Sequence, residues 1–195
     1  MSVHEHAAQP AARASALLAR LERAGLTTEA ELDAIVERFL LGARKENAYR
    51  VVARAWLDPD YRERLLADGN AALDELGIDM SHWAPVRLRV VANTPDVHNV
   101  IVCTLCSCYP IALLGPSPSW YKSEAYRSRV VRDPRAVLSE FGVELPPQTS
   151  VAVWDSAAEA RYMVLPQRPA GTDHLREEQL AALVTRNGLI GTAPV

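Results

Sequence analysis

The chain has 195 residues but only three cysteines, three methionines and two phenylalanines, and its charges nearly cancel, at a net −3. An odd, sparse set of thiols excludes a secreted disulfide framework. The near balance of charge excludes nucleic acid or an anionic membrane as a partner drawn by bulk electrostatics. Long apolar runs are missing too: stretches such as VIVCTLC are far too short to span a bilayer. The N-terminus, MSVHEHAAQPAARASALLARLERAG, is rich in alanine but lacks the basic-then-apolar design of a signal segment, so a cytoplasmic location is expected.

What remains is ordinary for a globular chain: 49% hydrophobic and 23% charged residues. That suits one domain with a real core, or a domain with a helical extension. The first ten residues read as disordered. A helical pattern then runs to Gly42, broken at Gly25 and restarted at Thr27 or Thr28, with Glu31 at capping-box distance from Thr28. Leu32, Ile35, Val36, Phe39 and Leu40 recur at helical spacing. A second helical block from Asn47 is interrupted at Asp58-Pro59, Gly69 and Gly77.

After Gly77 the pattern changes. VRLRVVANT and HNVIV read as strands, SEAYRSRVVRDPRAVLSEFG as helix with a restart at Asp133-Pro134, and SVAVWD and ARYMVLP as a strand pair. TDHLREEQLAALVTRNG reads as a last short helix capped by Thr172 or Asp173. Helices first and then strands with helices predict an α+β fold: a helical N-terminal arm over 1–45 and a mixed strand and helix domain over 46–195.

All three thiols fall in VCTLCSCYP, as Cys103, Cys106 and Cys108. Cys103 and Cys106 alone form a CxxC pair, which suits a redox disulfide or half a zinc site. Neither explains Cys108, and a zinc site lacks a second CxxC, with His98 the only nearby histidine. An iron–sulfur site or a chance cluster stands beside these readings. On a helix Cys108 points away from the other two, and on a strand Cys103 does. Bringing all three sulfurs together requires the backbone to wind about a point, which also turns the peptide nitrogens of Ser107 and Cys108 inward. A metal there could take three sulfurs and two nitrogens and keep one octahedral position open.

This stretch resembles the claw-shaped metal motif of the nitrile hydratase α subunit. The likeness continues in RVVARAWLDPDYRERLLADG, SWYKSEAYRSRVVRDPR, EARYMVLPQRPAGTD and LVTRNGLIG, and covers Asn47 to the C-terminus. The resemblance implies one Co3+ per chain held by Cys103, Cys106, Ser107 and Cys108, with Cys103 the axial thiolate. It implies Cys106 oxidised to a sulfinic acid and Cys108 to a sulfenic acid, these two being the catalytic residues, and the amide nitrogens of Ser107 and Cys108 as deprotonated ligands. Thr104 looks like the cobalt branch, where the iron branch has serine. The implied reaction is hydration of a nitrile to the amide by Lewis-acid chemistry, with Cys108 as nucleophile or base. The implied partners are nitrile hydratase β subunits and a small-molecule nitrile, with a metallochaperone or activator for loading.

Two departures bear on the substrate. Ile111 stands where the family typically has tryptophan, and SHWAPVRL offers no counterpart to a glutamine near the site in some members. A widened pocket leans toward a bulky heteroaromatic or nucleoside nitrile such as toyocamycin. The alternatives are the metal subunit of a thiocyanate hydrolase and a non-catalytic cobalt-delivery module. Arg127, Arg129, Arg132 and Arg135 read as helical solvation and intersubunit ion pairing. His98 reads as a strand-end polar group, and Asp155, Glu159 and Arg161 as a hairpin turn and its surface. Trp56, Trp83, Trp120 and Trp154 read as core or interface anchors.

Overall fold

The computed structural model describes residues 3–42, 44–79, 86–106 and 108–194. Ser107 and Trp83 lie outside the described residues, as does most of the SHWAPVRL stretch. The chain divides into two compact units, Met1–Gly42 and Ala43–Val195.

The first unit holds α1 (Val3–Arg23) and α2 (Glu29–Gly42). The helix begins at Val3, where a disordered tail was expected; alanine, the best helix former, recurs at Ala7, Ala8, Ala11 and Ala12. Thr28 and Glu31 form the expected capping box, each side chain bonding the other's backbone N–H at 3.2 and 2.8 Å. Leu32, Ile35 and Val36 of α2 are exposed.

In the second unit, α3 (Lys45–Leu57) buries Ala48, Val51, Val52 and Ala55, a helical stripe packed against the core. Asp58 ends α3 and accepts a hydrogen bond from Tyr61 N, so that Pro59 opens α4 (Pro59–Ala67). Asp68 caps α5 (Gly69–Glu75) in the same way through Ala71 N. Tyr61 then locks α4 to α5 by donating to Ala72 O at 3.1 Å, and burial pushes its phenol up to about 12.

Among the described residues four strands follow, β1 (Arg87–Ala92), β2 (Val97–Val102), β3 (Ser150–Asp155) and β4 (Ala160–Leu165), in two parallel pairs. β1 pairs with β4 from Arg87↔Ala160 to Ala92↔Leu165, and β2 pairs with β3 from Val97↔Ser150 to Val102↔Asp155. The expected pairing of SVAVWD with ARYMVLP does not form. Residues 156–159 make a tight turn, with Ala157 N on Ala160 O, but the strands on either side join different partners. Parallel pairing requires long crossovers. The β2–β3 crossover carries α6 (Ile111–Leu114), a 3-10 turn (Ser119–Lys122), α7 (Glu124–Val130) and α8 (Pro134–Glu140). Asp133 caps α8 through Ala136 N, as its proline signal predicted.

The last helical stretch is two helices, α9 (Glu177–Ala181) and α10 (Arg186–Ile190). Thr185 separates them by capping α10 through Gly188 N at 3.0 Å. Thr172 caps neither; its hydroxyl donates to Pro169 O. Tyr61, Leu73, Ile101, Leu113, Leu138, Met163 and Leu189 are fully buried, so strands and helices of this unit share one core. Among the described residues no helix is long and apolar enough to cross a membrane.

Candidate metal centre

Val102 closes β2, and the chain turns at once into the cysteine loop. The loop therefore leaves the carboxyl ends of parallel strands, the end of such sheets where ligands bind. The structure brings Cys103, Cys106 and Cys108 together, with all three sulfurs within 4.8 Å of one another. The Sγ atoms of Cys103 and Cys106 are 3.4 Å apart, and those of Cys106 and Cys108 are 3.2 Å apart. Both separations are far longer than a disulfide bond, so neither pair is disulfide-linked. Cys103 is buried, Cys108 half-buried and Cys106 exposed, so the cluster has a protein side and an open side.

These distances test what ion the sulfurs suit. Two sulfurs each ~2.3 Å from an ion lie ~3.3 Å apart at a right angle and ~3.8 Å apart at the tetrahedral angle. The observed 3.2 and 3.4 Å match neighbouring corners of an octahedron. A soft, all-sulfur face of that shape fits a six-coordinate transition ion better than tetrahedral zinc.

Three elements outside the loop fix its path. Asp155, the register partner of Val102, accepts from Thr104 N at 2.9 Å and from the Thr104 hydroxyl. Arg127 of α7 donates from Nη1 to Cys106 O at 3.1 Å and, at a longer 3.4 Å, to Thr104 O. Tyr121 donates to Cys108 O at 2.9 Å. Within the loop, Cys106 N donates to Cys103 Sγ at 3.3 Å. Behind it, Tyr109 and Tyr121 meet edge to face with centroids 5.1 Å apart, and Trp120 contacts Tyr126 and Phe141. Tyr126 secures this aromatic layer to β2 by donating to Ile101 O at 2.7 Å. Burial raises the phenol pKa values of Tyr109, Tyr121 and Tyr126 well above the ordinary value, so all three stay neutral, and Tyr121 and Tyr126 act as donors.

Burial, with Cys106 beside it, pushes the Cys108 thiol up to about 12, and the charge of Arg161 opposes this. A protonated thiol of this kind gives up its proton when it takes a cation.

Asp155 and Arg127 are the residues that sequence reasoning missed. Asp155 was assigned to a hairpin surface, but no hairpin exists, and the parallel partner of its strand places it at the loop. Reading SVAVWD as a parallel neighbour of HNVIV would have found it. Arg127 was grouped with solvated helix charge. Its neighbours Arg129, Arg132 and Arg135 are exposed, as helical solvation expects, and also bond within the chain: Arg129 pairs with Glu140, Arg132 donates to Ser128 O, and Arg135 donates to Leu145 O. Arg161 closes the turn after β3 by donating to Ala158 O at 2.9 Å. His98 does not reach the sulfurs; about 16 Å of strand separates it from Cys103.

Sulfur donors from one loop, wound at the carboxyl end of a parallel strand pair, define a protein with a cysteine claw that could hold a metal ion. The chain belongs to the nitrile hydratase alpha-chain family, whose pattern matches residues 8–193. It is 48% identical over 184 residues to the cobalt-containing nitrile hydratase subunit alpha of Pseudonocardia thermophila, spanning 94% of this chain and 89% of that one. It is also 48% identical over 155 residues to the thiocyanate hydrolase subunit gamma of Thiobacillus thioparus, spanning 75% of this chain and 64% of that one. Among solved structures, a variant of the Fe-type nitrile hydratase from Comamonas testosteroni Ni1 superposes with a TM-score of 0.88 at 40% identity, covering 96% of this chain and 90% of that one.

Proposed function

We propose that this chain is the metal-carrying α subunit of a cobalt nitrile hydratase, adding water to a nitrile to give the amide. The observation that carries the reading is the meeting of three sulfurs within 4.8 Å in one loop, with Cys106 at octahedral-edge distance from both Cys103 and Cys108. Cys103, Cys106 and Cys108 would hold one Co3+, with the peptide nitrogens of Ser107 and Cys108 as the further, anionic donors. Cobalt rather than iron is supported by Thr104 after the first cysteine and by relatives named as cobalt-containing enzymes.

Bound there, the ion supplies the Lewis acidity that makes a nitrile open to water. The chain's own residues set up the rest. Buried Cys103 anchors the site from the protein side, while Cys106 and Cys108 face the open side, where substrate arrives. Dioxygen, as oxidant and oxygen source, would take Cys106 to the sulfinic and Cys108 to the sulfenic acid, and the Cys108 sulfenate oxygen would serve as nucleophile or base. Arg161 contributes positive charge toward Cys108.

The open side needs a cover. Leu105, at the crown of the loop, is 91% exposed beside the thiols, and nitrile hydratase β subunits are the partner that closes it. The helical arm, residues 1–45, wraps that partner with its apolar stripe, and residues 46–195 form the catalytic domain. Deleting residues 1–42 should therefore reduce co-purification with β. Loading by a metallochaperone, in a reducing cytoplasm that keeps the thiols reduced until the ion arrives, completes the scheme. Ile111 opens α6 three residues after Cys108 and is half-buried. A residue smaller than tryptophan there leaves room for a bulky heteroaromatic or nucleoside nitrile.

Thiocyanate hydrolysis is the second reading, favoured by the thiocyanate hydrolase relative at the same 48% identity. Steady-state assays of the chain with its partner subunit on acetonitrile, an aromatic nucleoside nitrile and thiocyanate separate the two. Amide formation is expected. Turnover of thiocyanate alone overturns the nitrile reading, and cobalt binding with no turnover points to a delivery module.

A further inference from the structure

We propose that Arg127 is a positioning residue of the metal loop, holding it and balancing its charge through the bond from its guanidinium to Cys106 O; the inference rests on the cobalt reading above. Arg127 sits on α7, one residue after Tyr126, whose hydroxyl is fixed on Ile101 O. That anchoring sets the direction from which the guanidinium approaches the loop. Its Nη1 reaches two loop carbonyls, Cys106 O at 3.1 Å and Thr104 O at 3.4 Å. Its Nε is buried with no hydrogen-bond partner. An arginine held with one donor shut from water and unpaired is costly as packing alone.

The identity of the acceptor supplies the reason. A peptide nitrogen that binds a metal as an anion shares its charge with the carbonyl oxygen of the same peptide group. For the nitrogen of Ser107 that oxygen is Cys106 O, the atom Arg127 touches. The loaded loop also carries thiolate charge, and the Asp155 carboxylate lies on its Thr104 side. A guanidinium on the loop backbone offsets this accumulation, and a charge-assisted bond is stronger than a neutral one. Both carbonyls are reached from the single Nη1, and the guanidinium keeps its charge at any working pH.

The test replaces Arg127 in the full chain co-expressed with its partner subunit. Cobalt per chain and the rate of cobalt loss to a chelator are read, with circular dichroism reporting the fold. Arg127→Met is expected to hold cobalt about tenfold to a hundredfold more weakly, the usual effect of losing a group that supports a ligand. Arg127→Lys, which keeps the charge, should lose cobalt more slowly than Arg127→Gln, which keeps a donor without charge. A packing role would not produce that order. If Arg127→Met does not fold, the lysine and glutamine variants decide alone. Equal loss from those two, or wild-type retention in both, overturns the proposal. A Cys103→Ala chain run alongside separates the failures. If it loses cobalt while the Arg127 variants do not, only this proposal falls; if it keeps cobalt, the metal reading falls as well.

Discussion

Thr104 and Asp155, 51 residues apart in the chain, meet through a paired contact in which the backbone N–H and the hydroxyl of the threonine both donate to one carboxylate. The contact exists because β3 runs parallel to β2 and ends level with it, at Val102↔Asp155. The first residue after Cys103 is thus fixed by the sheet itself. Asp155→Ala should cost about 1 kcal/mol of stability, since the carboxylate is solvent-exposed. It should also lower cobalt content after expression. Denaturant midpoints and elemental analysis check both, and an unchanged cobalt content would count against a pre-formed loop.

Much of this architecture is legible in local sequence. Asp58-Pro59 and Asp133-Pro134 announce their helix starts because donor, cap and proline lie within three residues. The cysteine loop declares its chemistry for the same reason: every thiol is in one short segment. Strand pairing is a different matter. The alternation in SVAVWD says that the segment is a strand, but not which neighbour it takes, and the tight turn before ARYMVLP invites a hairpin that packing overrules. Arg127 and Asp155 escaped notice because they lie 21 and 51 residues from the loop atoms they hold, and no local pattern encodes that distance.

The donor set has a chemical signature. In the cobalt-loaded chain, oxygen additions should appear only on the peptide carrying Cys106 and Cys108, with about one cobalt per chain. Cys103, buried at 1% exposure, should stay unmodified as a thiolate. Peptide mass analysis with metal quantitation reads this directly. Replacing any of the three with alanine should abolish cobalt binding and activity together, because the remaining sulfurs cannot complete the face.

Gly191 ends α10 in the left-handed conformation, at φ 89°. A Cβ there would lie 2.0 Å from Asn99 O and 2.9 Å from Val100 Cα, so the backbone of β2 occupies the space. Gly191→Ala must therefore strain its own φ and push α10 off the strand that delivers the cysteine loop. A loss of more than about 2 kcal/mol is expected. A denaturant midpoint close to wild type would show that α10 can move without disturbing β2.

His98 joins the same helix end to the strands. Its Nε2 donates to Gly191 O at 2.7 Å, and its Nδ1 lies 3.4 Å from Asn93 Nδ2. The Asn93 amide cannot turn to reverse that contact, because its Oδ1 accepts from Asn99 N at 2.8 Å and from Asn99 Nδ2 at 3.0 Å. Trp154 completes the network by donating to Asn99 Oδ1 at 2.8 Å. The ring thus meets a donor at Nδ1 and an acceptor at Nε2, which only the neutral imidazole satisfies. Burial accordingly holds its pKa below the ordinary 6.5, with the bond to Gly191 partly opposing the shift. The unfolded chain then binds a proton before the folded chain does, so this contribution is intact above 6.5 and is lost as the pH falls from there to the folded value. Denaturant midpoints at about pH 7.5 and about pH 5.5 should show the wild type weakening on acidification. His98→Gln keeps an N–H donor for Gly191 but cannot be protonated, so it should weaken less over the same interval. An equal acid loss in both chains would place the titration elsewhere.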